Sequence, residues 1–240
     1  MRIEVLRTTN ERGFKEQLIE YEIDADGLTL LQALQLIKEK NDNSLSFSSG
    51  CESSICGSCA MRVNDKEVLA CAYKVQDGDV VTPLKYMVVK RDLIVDSYSK
   101  FEQNSIAKAY STLDESKSVT KDEAKINELQ SDCILCTSCY SACPVYELNS
   151  DFIGPFALTR AWRYVSDTRE KQSLDIITAV QNSGIWDCTL CGECYIACPQ
   201  GISPKSDIEK LRAKSGILGF LDPNFSTGFG GGLDFGAPQF

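Results

Sequence analysis

Apolar and polar residues alternate at the start of this chain. Ile3 and Val5, and further on Ile19, Tyr21 and Ile23, each stand between polar neighbours. A period of two predicts half-buried strands, and the two runs read as a hairpin. Asp26-Gly27 predicts a turn, after which the period lengthens. Thr29 stands at an N-cap with Gln32 in the capping-box position, and Leu30, Leu31, Leu34 and Ile37 form one stripe, which predicts a helix. Beyond a polar loop and the segment Phe47–Cys59, Ala60–Val63 and Glu67–Tyr73 predict a second hairpin around Asn64-Asp65. That register puts Cys71 on the return strand.

From about Ser97 the pattern becomes helical. Helices are predicted over Ser97–Tyr110, Lys121–Ser131, Pro155–Val165 and Leu174–Gln181. A last one opens at Ser203-Pro204, with Ser at N-cap and Pro at N1, and runs to about Lys214. The division this implies is a β-rich unit over 1–96, a helical unit over 97–224 and a Phe/Gly tail over 225–240. The tail reads as unstructured, with a partner-docking peptide as the alternative.

Composition adds the chemistry. Twelve residues are cysteine and none is histidine. Cys51, Cys56, Cys59 and Cys71 read C-x4-C-x2-C-x11-C. Cys133, Cys136, Cys139 and Cys143 read C-x2-C-x2-C-x3-C and run into Pro144. Cys188, Cys191, Cys194 and Cys198 repeat that spacing and run into Pro199. The first is the plant-type [2Fe–2S] spacing, and the other two are the run of bacterial two-cluster ferredoxins, in which the fourth Cys ligates the other cluster. The expected ligand sets are therefore Cys51, Cys56, Cys59 and Cys71 for a [2Fe–2S] cluster; Cys133, Cys136, Cys139 and Cys198 for one [4Fe–4S] cluster; and Cys143, Cys188, Cys191 and Cys194 for a second. Proline supplies the mechanics of the crossing: it has no N–H and restrains the residue before it, which ends the local turn. Gly50, Gly57, Ser54 and Ser58 are small enough to let backbone N–H groups approach the sulfurs, and such hydrogen bonds raise a cluster's potential.

Disulfides belong to small secreted domains. Here the chain is long enough for two cores, and Met1–Thr8 reads as a strand rather than a leader. Structural zinc favours paired C-x2-C motifs, often with His. A zinc-stapled scaffold and a freestanding ferredoxin are the competing readings; the long helical half argues against the latter. The missing histidine excludes Rieske ligation, a His-ligated haem and a Ser-His-Asp triad. No G-x-G-x-x-G follows a strand, so flavin or nicotinamide would sit on a partner. A net charge of −9 argues against nucleic acid. No apolar run approaches a membrane span, so a membrane role would be peripheral.

The segments S-G-C-E-S-S-I-C-G-S-C-A-M around Cys51–Met61, L-A-C at Leu69–Cys71, C-I-L-C-T-S-C-Y-S-A-C-P-V-Y, G-P-F-A-L-T-R-A-W-R-Y-V-S-D-T-R-E over Gly154–Glu170 and C-P-Q-G-I-S-P over Cys198–Pro204 resemble the iron–sulfur subunit of succinate dehydrogenases and fumarate reductases. The resemblance covers residues 1 to about 215. It implies an α+β chain: an N-terminal β-grasp [2Fe–2S] ferredoxin domain followed by an all-α two-cluster ferredoxin domain. It also implies an oxidoreductase subunit without a substrate site of its own. Its partners would be a flavoprotein carrying FAD and the dicarboxylate site, and a quinone-reactive membrane anchor.

One departure stands out. Most of that family replaces the second cysteine of the last run, and its terminal cluster is [3Fe–4S]; here that position is Cys191. A fourth thiolate implies [4Fe–4S], with [3Fe–4S] beside an unligated Cys as the alternative. The Trp and His that the succinate-oxidising branch places near the quinone are absent, since Val145, Tyr146, Glu147 and Thr189 stand there. The sequence resembles the branch whose anchor is a cysteine-rich, heterodisulfide-reductase-like subunit, which includes methylmenaquinol:fumarate reductases. That branch implies electron flow from (methyl)menaquinol to fumarate on the inner membrane, at the periplasmic face, with the cytoplasmic face as the alternative. Succinate oxidation and a thiol-driven fumarate reductase are the functional alternatives.

Overall fold

The structure is a computed structural model and describes residues 1–9 and 15–223. Strands β1 (Arg2–Thr9) and β2 (Lys15–Glu22) form the expected antiparallel hairpin, with Ile3 opposite Tyr21 and Val5 opposite Ile19. This register turns Ile3, Val5 and Tyr21 into the core. Helix α1 (Leu30–Lys40) begins at the expected capping box: the Thr29 hydroxyl accepts from the Gln32 N–H at 3.3 Å, and Gln32 Oε1 accepts from the Thr29 N–H at 2.9 Å. The Leu30, Leu31, Leu34 and Ile37 stripe is buried.

The second hairpin, β3 (Ala60–Val63) and β4 (Lys66–Leu69), is shorter than its sequence pattern. The N–H groups of Ala72 and Tyr73 both return to the Leu69 carbonyl, which ends the strand and moves Cys71 off it into a turn. Strand β5 (Asp79–Thr82), too short for alternation to reveal, lies parallel to β1 and antiparallel to β3. The five-stranded order is β2-β1-β5-β3-β4, with α1 packed across one face, as in a β-grasp. A small hairpin of β6 (Val88–Arg91) and β7 (Ile94–Asp96) is fixed by its turn. There the fully buried Asp92 pairs with Arg7 at 3.1 Å and accepts N–H groups of Thr8 and Ser46. Buried charges need such pairing to avoid a large desolvation cost.

After Asp96 the described residues are helical apart from turns and one isolated bridge. Helix α2 (Tyr98–Ile106) leads in. The expected helix over Lys121–Ser131 is two short ones, α3 (Lys121–Lys125) and α4 (Glu128–Ser131). Asn127 breaks them at φ −127°, where its side-chain amide donates to the Arg163 carbonyl and Ser166 Oγ. Helices α5 (Ser138–Ser141) and α6 (Val145–Leu148) follow, and then α7 (Pro155–Val165) at its expected limits. Helix α8 (Ser173–Ala179) ends two residues early in an irregular turn over Gln181–Ile185. Short α9 (Glu193–Ile196) precedes α10 (Pro204–Ile217), whose N-terminus is capped by Ser203.

Two hydrophobic cores result. One gathers Ile3 to Leu93 under the sheet; the other gathers Ala107 to Leu211 around α7, α8 and α10. The expectation for the tail over 225–240 falls outside the described residues. Among the described residues no helix is long and apolar enough to cross a membrane.

Candidate iron–sulfur sites

The first cysteine group lies on a loop that repeatedly enters the left-handed region, at Glu52 (φ 57°), Ser54 (φ 62°) and Gly57 (φ 71°). Each reversal turns N–H groups inward. Cys51 Sγ accepts from Ser53, Ile55 and Cys56 at 3.4, 3.3 and 3.2 Å; Cys56 Sγ accepts from Cys51, and Cys71 Sγ from Ser54, both at 3.3 Å. These donors, the Ser53 N–H foremost, lower the Cys51 thiol to about 6 and favour its thiolate. Cys59 is buried, and desolvation pushes it up to about 11 in the field of Cys71 and Cys56. Gly50 is the close-approach glycine here, since a Cβ on it would lie 2.8 Å from Cys56 Sγ.

The two later runs share one backbone. Leu135 and Leu190 both take the left-handed conformation, at φ 59° and 57°, and so do Thr137 and Gly192, at 60° and 92°. Each run then enters a one-turn helix, α5 or α9, and these two helices pack together. A left-handed non-glycine residue is strained, and such strain clusters where a ligand loop needs it. Here it aims the Leu190 N–H at Cys188 Sγ, 3.4 Å away.

The fold brings the fourth cysteine of each run near the other run. Cys198 lies within the field of Cys133, Cys136 and Cys139, beside its partners in the expected crossed set. Cys143 shares one cavity with Cys188, Cys191 and Cys194, closed by Phe152, Pro155 and Ile208. Cys191 itself is exposed toward solvent on its other side.

The donor set fits iron–sulfur clusters. Burial pushes Cys143 up to about 11 and Cys194 up to about 12, and raises Cys133, Cys136, Cys139 and Cys188. In such surroundings a thiol stays neutral unless a metal's charge holds it as thiolate. Among the described residues no three His, Cys, Asp or Glu side chains converge as one metal ion would require.

The groups also touch. Ile134 and Cys136 pack against the sheet core, and Gln200, two residues past Cys198, donates to the Ser54 carbonyl at 3.5 Å. Ser141 Oγ, between Cys139 and Cys143, donates to Glu67 at 2.8 Å and accepts the Lys85 N–H at 2.9 Å. Sequence reasoning missed Arg212, which donates to the carbonyls of Ile185 and Cys188 at 2.8 and 2.6 Å and whose charge opposes the upward push of burial on Cys188. It also missed Lys205, which lines the cavity of the second set. Their spacing with Ile208 on the helix after the last Cys-Pro was the available signal.

A β-grasp unit with one four-cysteine loop, joined to a helical unit with two further four-cysteine runs, defines an iron–sulfur protein of the two-domain, three-cluster type. Residues 2–102 match the family of 2Fe-2S iron-sulfur cluster binding domains, and residues 129–202 match the 4Fe-4S dicluster domain. The chain is 34% identical to the fumarate reductase iron-sulfur subunit of Haemophilus influenzae, over 93% of this chain and 97% of that one. It is also 34% identical to the 8-methylmenaquinol:fumarate reductase iron-sulfur subunit of Wolinella succinogenes, over 86% and 70%. Its fold matches a chain of the Mycobacterium smegmatis Sdh1 complex with a TM-score of 0.78 at 19% identity, over 90% of this chain and 95% of that one. The chain belongs to the iron–sulfur subunit family of fumarate reductases and succinate dehydrogenases, whose members carry one [2Fe–2S] cluster and two clusters of [4Fe–4S] or [3Fe–4S] type.

Proposed function

We propose that this chain is the electron-transfer subunit of a membrane-associated fumarate reductase, linking a quinol-reactive anchor to the flavoprotein that reduces fumarate to succinate. When bound, iron–sulfur clusters take up and release single electrons, which is the only chemistry the chain requires. Cys51, Cys56, Cys59 and Cys71 hold the [2Fe–2S] cluster in residues 1–96. Cys133, Cys136, Cys139 and Cys198 hold one [4Fe–4S] cluster, and Cys143, Cys188, Cys191 and Cys194 the other, in residues 97–224. The observation that carries this reading is the placement of Cys198 near Cys133, Cys136 and Cys139 and of Cys143 in one cavity with Cys188, Cys191 and Cys194, which supports two electron carriers held close together.

The chain's own residues position and insulate. Left-handed backbone at Leu135, Thr137, Leu190 and Gly192 points N–H groups and thiols inward. Phe152, Pro155 and Ile208 line the apolar side of the second set's cavity, while Cys191 stays exposed. Val145 and Thr189 line that cavity where the succinate-oxidising branch places its quinone-site Trp and His, which supports a different kind of anchor. Similarity to the 8-methylmenaquinol:fumarate reductase relative supports a methylmenaquinol-type donor. The extra Cys191 and the branch the sequence resembles support a cysteine-rich, heterodisulfide-reductase-like partner, and we place the complex at the periplasmic face.

Purification of the native complex under anaerobic conditions tests this. The expected result is a brown assembly with a flavoprotein, this chain and a membrane subunit, in which reduced quinol drives fumarate reduction. A colourless chain containing zinc overturns the electron-transfer role. A succinate dehydrogenase that does not reduce fumarate overturns the direction.

A further inference from the structure

The cavity shared by Cys143, Cys188, Cys191 and Cys194 has a cation in its wall, Lys205. The Lys205 stem runs beside the Cys191–Gly192 loop, with Cδ 4.0 Å from where a Cβ on Gly192 would sit. Its backbone N–H faces Cys194 and opposes the upward push of burial on that thiol. Helix α10 begins at Pro204, which has no N–H, so Lys205 supplies the first free donor of a 14-residue helix. Positive charge of two kinds, the ammonium and the helix N-terminus, thus meets one cysteine set. Among the described residues none of the ion pairs involves Lys205.

We propose that Lys205 raises the redox potential of the terminal cluster and offsets the charge of the fourth thiolate, Cys191. The inference rests on the ligand assignment above and adds to it the device that keeps this centre reducible. Cluster potential follows net charge, hydrogen bonds to sulfur and exposure. A cluster held by four thiolates is already anionic and becomes more so when it accepts one electron. A fixed cation at the cavity wall favours the reduced form, in which one electron is added and no bond is made or broken. Arg212, pinned to the Cys188 carbonyl, contributes from the same side of α10.

The test is an EPR-monitored redox titration of the anaerobically prepared full chain, with iron content measured first. Lys205→Met keeps the stem and removes the charge. The midpoint of the terminal centre should fall, while that of the [2Fe–2S] centre holds. Lys205→Glu should lower it further, and Lys205→Arg should restore it. The gap between wild type and Lys205→Met should shrink at high salt, because the residue is part-exposed and ions screen it. A midpoint unchanged in Lys205→Met at low salt overturns the proposal, and so does an equal shift in all three centres. If Lys205→Met fails to hold its clusters, a terminal midpoint equal in Lys205→Arg and Lys205→Glu overturns it. A wild-type terminal centre of [3Fe–4S] type is a different failure: it removes the fourth thiolate, and with it both this proposal and the ligand assignment.

Discussion

Gly57 and Cys136 touch across the joint between the two cysteine-bearing units. A Cβ on Gly57 would fall 2.9 Å from Cys136 Cβ and 2.7 Å from the Ile134 carbonyl oxygen. Gly57 is also left-handed, at φ 71°. No side chain fits there without moving backbone. The first loop and the first run therefore approach as closely as peptide groups can.

Gly57→Ala should cost about 1–3 kcal/mol from the left-handed conformation alone, with the clash against Ile134 added. The loops should separate, and the magnetic interaction between the reduced [2Fe–2S] centre and its neighbour should weaken. Chemical denaturation and EPR line broadening measure the two effects. An alanine variant with wild-type stability and broadening would show that the contact is loose.

Cys198→Ala should damage the cluster assigned to Cys133, Cys136 and Cys139 while sparing the one assigned to the rest of its own run. Cys143→Ala should do the reverse. Iron content with EPR of the reduced variants distinguishes the two patterns. Loss confined to each residue's own run would refute the crossing.

If Cys191 is a ligand, the anaerobically prepared protein should contain about ten irons, the sum of one [2Fe–2S] and two [4Fe–4S] clusters. Its oxidised form should lack a strong [3Fe–4S] signal. Cys191→Val should remove one iron and create that signal. A full-strength signal in undamaged wild type would make Cys191 a bystander.

Asp207 should give the fold a pH dependence. Only 1% of it is exposed; Gln130 donates to Oδ1 at 2.8 Å, and Oδ2 faces the Thr159 hydroxyl without closing a hydrogen bond. Desolvation pushes its carboxyl up to about 6, against the pull of Lys210. Its unfolded value is about 3.9. Between those values the folded state holds more protons than the unfolded, so stability falls as pH rises from about 4 to about 6 and then levels. Asp207→Asn should flatten that decline, worth on the order of 2–3 kcal/mol at neutral pH for a shift of this size. Denaturation midpoints at pH 4.5 and 7.5 check it; equal slopes in both proteins would put the burial cost elsewhere.

A fragment of residues 1–96 should fold and take up a [2Fe–2S] cluster, because its core from Ile3 to Leu93 is its own. Ile134 and Cys136 cap one edge of that core, so the fragment should be less stable than the whole. A fragment that stays unfolded would mean that the two units share a core.

Much of this was legible in the residues. Period-two alternation gave the first hairpin, the Thr29–Gln32 box gave α1, and Pro155 and Ser203-Pro204 gave the starts of α7 and α10, because caps and amphipathic stripes are local. Strand β5 was not legible: four residues in mid-sheet, alternately buried and half-buried, owe their form to β1 and β3 on either side. The split at Asn127 was also hidden, since its cause is a hydrogen bond to Arg163, distant in sequence.

The cysteine spacing by itself determined the chemistry, because a thiolate run can wrap one cluster corner by corner only at certain intervals. It also led to the expectation that each run borrows its fourth member, since proline ends the local turn. Which surfaces meet was decided by tertiary structure alone. The fit of Gly57 against Cys136, the Ser141 link to Glu67 and the meeting of Cys143 with the last cysteine set join residues far apart in sequence. Such contacts depend on how two cores stack, and stacking follows from the summed shape of many side chains rather than from any one interval along the chain.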